Sequence, residues 1–410
     1  MPKKQSIFYG WWIAIAGAVT YGIAQGIPYY NVSFFYDYFQ RSFGWSRSQI
    51  TLGFPLAALL TIWVGPVLVP RFSQRKLILF GTALTAAALA GFAWMHGSLW
   101  VYFALWGLYT LGYLLSGPIP HQLIISHWFR KRRGTAMGIL YFGVGVIGSL
   151  GSYAVKPLTD RYGYQAALFA LALAMFAGWP LVLWVLRDRP QELGLTADGE
   201  PAPLQAAGHQ GLSIAQMMQR RAFWLLLAGS ICSIATVGAI SQHVKFIFLD
   251  AGFARGSQLD SAWRSTSILI LCASTVGRLF VGLLADWWST KYVMVLSFFL
   301  TAASAIPLLL LHPPHVPVFF GIIFGVAMGA DYMLIPLMVA EEFGLSSLAA
   351  AMSVVLPINT VAQTWFPYLV AVLREHSSSY RISLYCVIIV AVFGAISIAA
   401  LPSRRAQSAA

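Results

Sequence analysis

The chain has 410 residues, of which 59% are apolar and 10% charged, with a formal charge of +13 and a mean hydropathy of +0.72. A soluble domain carries about 25% charged residues, so a water-soluble enzyme is excluded. The basic residues gather at the ends of apolar runs, which makes them a topology signal and excludes a nucleic-acid footprint.

Those runs are long enough to cross about 30 Å of hydrocarbon as helices. In lipid the backbone must satisfy its own hydrogen bonds, and the alternation of a membrane barrel is absent. Twelve spans are predicted, at about 8–30, 47–70, 77–95, 99–127, 135–156, 164–186, 222–248, 264–286, 292–311, 316–340, 346–373 and 380–402. The first has no small-residue cleavage site and reads as a span, not a signal peptide. The stretch 187–221, rich in Pro, Gly and Ala, reads as a flexible linker. It gives a six-helix half at 1–187, a cytoplasmic linker at 188–221 and a second six-helix half at 222–410. The run "SIAQMMQRRAFW" reads as a short interfacial helix entering the seventh span. The fold class is an all-α membrane protein.

One set of helix ends holds 16 Lys and Arg, among them Lys3, Lys4, Arg130–Arg133, Arg404 and Arg405; the opposite set holds 8, including Arg255. This asymmetry places both termini and the linker in the cytoplasm. An internal repeat joins "PRFSQRK" (70–76) to "DWWSTKY" (286–292), and "WFRKRRGTAM" to "EFGLSSLAAAM" at nearly the same offset. Two halves related in this way suit alternating access about a midplane site.

A charge at the centre of a membrane helix costs about 2.5–3.5 kcal/mol, so each survivor is a functional candidate. Arg278 lies mid-span in "STVGRLFVGLLADWW". Its guanidinium offers a fixed fork of donors that fits a carboxylate; a structural ion pair with Asp331 is the competing reading. Asp331, in "GVAMGADYMLIP", is a candidate proton carrier, since burial disfavours a carboxyl group's charged form. It would otherwise be a fixed counter-ion. Lys245, near a helix end, reads either as a gate or anion-attracting residue or as a snorkelling side chain. His121 in "GPIPHQL" and His243 are each either ligand contacts or satisfied core histidines. Asn359 and Gln363 share a helix face. With Gln25, Tyr29 and Tyr332 they are candidate substrate contacts, and Tyr21, Tyr30 and Tyr141 add aromatic walls. Trp11, Trp12, Trp287 and Trp288 suit the interfacial belt.

Cys232, Cys272 and Cys386 read as small buried apolar residues, with no disulfide framework and no metal-ligand spacing. A phosphate-binding Gly-Lys-Ser/Thr loop is absent. No nucleophile–base pair, metal site or cofactor site is evident.

The segments "FYGWWIAIAGAV", "FGWSRSQIT", "WFRKRRGTAMGI" and "GRLFVGLLAD" resemble the monocarboxylate transporter and oxalate:formate antiporter branch of the major facilitator superfamily. The resemblance implies the twelve-helix fold and a carboxylate bound by the arginine matching Arg278. Ser274 stands where proton-coupled relatives carry an acid one turn before that arginine. Asn359 stands at the antiporter's second cation, which favours a monoanion. His243 matches a histidine of the antiporter group, whereas Lys245 is unusual there, and "PRFSQRK" lacks the usual acid. The expected function is secondary active transport of a small monocarboxylate of the lactate or pyruvate type, by proton symport with alternating access. Alternatives are proton-independent exchange of the oxalate/formate type and a non-transporting carboxylate sensor. The expected partners are a small carboxylate, protons and the lipid bilayer, without nucleic acid. The short termini and loops suggest the inner membrane of a bacterial cell.

Overall fold

The computed structural model describes residues 8–199, 211–250, 252–253, 257–310, 315–377 and 379–402, and these contain helices and no strand. Among them are 11 helical spans long and apolar enough to cross a membrane. We number these α2 Gln49–Leu68, α3 Gln74–Trp94, α4 Leu99–Trp128, α5 Arg133–Val155, α6 Pro157–Trp184, α7 Arg221–Asp250, α8 Ser261–Trp287, α9 Thr290–Leu310, α10 Val316–Phe343, α11 Leu345–Ser377 and α12 Tyr380–Ala399. The remaining span, α1, is a continuous run over residues 9–43 that changes register. It is α-helical over Tyr9–Tyr21, π-helical over Gly22–Gly26, α-helical over Ile27–Asn31, 3₁₀ over Val32–Phe35 and α-helical over Tyr36–Phe43. It outlasts its expected end at residue 30 and stops at Gly44, which takes the left-handed conformation (φ 69°) that only glycine adopts without strain.

The chain forms two compact units: Met1–Gly211 with Leu345–Pro357, and Leu212–Gly344 with Ile358–Ala410. Within the first, α2 packs on α4, α4 on α3, and α3 on the α5–α6 run; within the second, α8 packs on α10, α10 on α9, and α9 on α12. The same pairing order in both units is what duplication of a six-helix segment produces. The helical run Arg133–Ala174 is broken at Gly163 (φ 85°, ψ 162°), within α6, a conformation a Cβ would strain.

Lipid is as apolar as a leucine side chain, so burial of apolar area does not by itself drive these helices together; close approach at small residues does. On α10, Gly321, Gly325 and Gly329 recur every fourth residue and face α8. A Cβ at Gly329 would lie 2.4 Å from the Ser274 carbonyl oxygen, and one at Gly325 2.7 Å from Ala273 Cβ. In the first unit a Cβ at Gly143 would lie 2.2 Å from the Ala18 carbonyl oxygen, and one at Gly148 would meet Gly26. Backbones touch at these points, which fixes the rotation of α8 about α10 and of α1 about α5. Outward-facing side chains are large and apolar: Trp63, Trp100, Trp184 and Trp287 are all exposed. Trp12 and Trp288 are exposed as belt residues should be, while Trp11 packs its ring on Phe129 at 4.8 Å.

Two expectations are corrected. Cys272 is exposed and Cys232 and Cys386 are half-buried, and Cys232 packs on α12, its Cβ 2.9 Å from where a Cβ at Gly394 would lie. The first part of the expected flexible linker is docked. Asp188 accepts hydrogen bonds from Ser73 Oγ (2.5 Å) and the Arg75 amide (3.0 Å), capping the start of α3. Asp198 accepts from the amides of Arg130 and Lys131 at 2.9 and 2.8 Å. Asp188, further along the chain, is thus an acid bound to the "PRFSQRK" loop. Residues 200–210, and Lys3, Lys4, Arg255, Arg404 and Arg405 of the charge count, lie outside the described residues.

Candidate functional site

In the second unit the glycine contacts carry the chemistry. Gly277 and Gly329 sit at close approaches of α8 and α10, and Arg278 and Asp331 follow them by one and two residues. Arg278 is 7% exposed and Asp331 is fully buried. They do not pair: among the described residues no Lys or Arg forms an ion pair with Asp331. Asp331 instead points to α7, where Ser233 Oγ donates to its Oδ2 at 2.7 Å. The Ser297 hydroxyl of α9 lies beside the same carboxyl group and donates to the Ala327 carbonyl at 3.4 Å. The fixed counter-ion reading of Asp331 therefore loses its partner.

One turn earlier on α7, Ser230 Oγ donates to Asn359 Oδ1 of α11 at 3.1 Å. Asn359 is fully buried and its Nδ2 has no hydrogen-bond partner. Tyr332, adjacent to Asp331 on α10, points about 100° away from it and donates its hydroxyl to Gln363 Oε1 at 2.5 Å. Asp331, Asn359, Tyr332 and Gln363 thus take part in three polar links, which join α7 to α10, α7 to α11 and α10 to α11.

His243 lies apart from this group. Its Nδ1 is 2.9 Å from the Tyr380 hydroxyl and its Nε2 2.9 Å from the Pro367 carbonyl. A carbonyl can only accept, so Nε2 carries a proton. The neighbouring Asp250 accepts from the Tyr380 amide at 2.7 Å and pairs with Arg374 at 3.7 Å. This set ties the ends of α7, α11 and α12 together. Lys245 lies over the Trp263 ring at 5.3 Å, linking α7 to α8.

In the first unit His121 is likewise engaged at both nitrogens: Nδ1 with the Gly117 carbonyl at 2.8 Å, and Nε2 with Thr20 Oγ1 at 3.0 Å. It stacks on Tyr21 with ring centroids 5.0 Å apart. Gln122 donates to the Tyr141 hydroxyl. Gln25 sits in the π-helical segment of α1, and its amide hydrogen-bonds the Tyr113 hydroxyl. Tyr29 is 43% exposed and stands edge-on to Tyr30.

Sequence reading missed Ser230, Ser233 and Ser297, and in the first unit Tyr109 and Tyr113. The signals were present as hydroxyls at one-turn spacing: Ser-x-x-Ser on α7 and Tyr-x-x-x-Tyr on α4. Among the described residues no group of His, Cys, Asp and Glu is arranged to hold a metal ion.

The sequence matches the family model described as Major Facilitator Superfamily over residues 14–367. It is 25% identical over 383 residues to the fujikurins efflux protein of Gibberella fujikuroi, covering 91% of this chain and 78% of that protein. It is 25% identical over 401 residues to monocarboxylate transporter 12 of Mus musculus, covering 90% and 81% respectively. Its fold is similar to that of the proton:xylose symporter XylE bound to 6-bromo-6-deoxy-D-glucose, with a TM-score of 0.72, 12% identity and 96% of each chain covered. At that identity the likeness concerns the fold alone.

Proposed function

Since the chain belongs to the Major Facilitator Superfamily and is a multi-pass membrane transporter, we propose that it carries a small monocarboxylate, of the lactate or pyruvate class, by proton symport with alternating access. The observation that carries this reading is Arg278, a guanidinium 7% exposed in α8 and set by glycine contact against α10. A buried arginine presents planar paired donors that suit a carboxylate. Asn359 and Gln363, on the neighbouring α11, are uncharged, which fits one carboxylate better than two.

Asp331 is the proton carrier in this reading. Ser233 binds Oδ2, while Oδ1 is buried without a hydrogen-bond partner. A proton there removes a buried charge that no described cation offsets. The proton also removes a transport cost: an anion moving alone against 100 mV faces about 2.3 kcal/mol. His121 and His243, with both nitrogens engaged, serve to join helices, and Lys245 braces α7 on α8. Resemblance to monocarboxylate transporter 12 agrees with a carboxylate cargo. The basic ends of the helices support a cytoplasmic location for both termini and the linker.

Purified protein in liposomes tests the reading with labelled monocarboxylates, lactate and pyruvate first and ring-bearing acids after them. Uptake should rise severalfold with an inward proton gradient and exceed equilibrium. Uptake that ignores the gradient and requires carboxylate on the far side would replace symport with exchange. Binding without flux in either mode would leave a sensor.

A further inference from the structure

Two interrupted helices meet in the first unit. α1 loses α-helical register over Gly22–Gly26. α4 breaks at Gly117 (φ −86°, ψ −135°), between Leu99–Ser116 and Pro118–Trp128. A Cβ at Gly117 would lie 3.0 Å from Gln25 Oε1, so the α4 break lies against the amide that the π segment presents. Irregular backbone at membrane depth persists where neighbours satisfy it or where it lines a cavity, and interrupted helices and π segments recur at binding sites.

Gln25 is 6% exposed. One side of its amide bonds the Tyr113 hydroxyl, but Oε1 is buried and accepts no hydrogen bond. Tyr109 lies near Tyr113, Tyr36 and Tyr29, and Tyr113 lies near Tyr29. Phe54 packs across Tyr109 and Tyr113 with ring centroids 6.5 and 6.1 Å away. Tyr29 stays 43% exposed, so the cluster has an open side. It is an aromatic-walled site with one unanswered acceptor.

We infer that this cluster recognises a hydroxylated aromatic ring, whose O–H donates to Gln25 Oε1 while its faces meet Tyr113, Tyr109 and Phe54. A site built to bond a hydroxyl discriminates against the analogue lacking it, because its buried partner is then left unpaired.

Binding to the full-length protein in detergent tests this with three probes: hydroxyphenylacetate, phenylacetate and cresol. The wild type should bind hydroxyphenylacetate at least about tenfold more tightly than phenylacetate. Gln25→Leu should erase that preference, and Tyr113→Phe, which keeps the ring, should narrow it; the unliganded melting temperature of each variant checks its fold. Cresol, which has no carboxylate, should bind wild type and Arg278→Ala equally and be lost in Gln25→Leu. Equal affinity of the wild type for the two acids, or a preference that survives both Gln25→Leu and Tyr113→Phe, overturns the inference. If cresol behaves as expected while acid binding ignores Arg278, the hydroxyl site stands and the carboxylate reading falls.

Discussion

Arg278 presents from α8 a planar fork of donors that suits a carboxylate. Lysine would keep the charge and lose the planar fork. Arg278→Lys should therefore weaken carboxylate binding at least about tenfold, as measured by equilibrium titration; full affinity would mean that charge alone is read. Asp331 calls for a different substitution. In Asp331→Asn the amide oxygen still accepts from Ser233, so the helix contact survives while the proton site is removed. Exchange of labelled cargo should persist and accumulation driven by a proton gradient should vanish; continued accumulation would remove Asp331 from coupling. Both residues stand out in the sequence because a charge in hydrocarbon is costly enough to need a reason. Ser230 and Ser233 do not stand out, since a serine in a membrane helix can satisfy itself on its own backbone, as Ser230 also does at the Leu227 carbonyl. The histidines show the opposite limit: sequence places a polar ring in an apolar helix, and only the fold reveals that both nitrogens of His121 and His243 are engaged.

Among elements, the α8–α10 pair is the most informative. Gly329 lets the α10 backbone touch Ser274, and Arg278 lies one helical turn beyond that contact. Gly329→Leu would force the helices apart, with an overpacking cost of about 1–3 kcal/mol. It should lower the melting temperature in detergent and weaken carboxylate binding together; a stable variant with full affinity would show that the contact does not position Arg278. Hydropathy makes the spans legible because their length follows from the thickness of the bilayer. It is silent on α1's π segment and on which face of α10 meets α8. Glycine at every fourth residue marks a packing face without naming its partner.

At the scale of the whole molecule, the repeat and the basic helix ends were legible because duplication and topology leave marks on composition and spacing. The docked start of the linker was not. Pro, Gly and Ala signal flexibility, yet Asp188 and Asp198 bond backbone amides at the starts of α3 and α5, contacts that depend on the chain's path. Replacing both aspartates by Ala should speed limited proteolysis between 188 and 221; an unchanged cleavage rate would mean that other contacts hold the segment. The account as a whole rests on an anion carried by a facilitator through Arg278. Its most direct test is accumulation of labelled monocarboxylate in proteoliposomes under an inward proton gradient, with wild type and Arg278→Ala reconstituted at equal density. The wild type should concentrate the cargo above equilibrium and Arg278→Ala should not; equal accumulation by the two proteins would contradict the account.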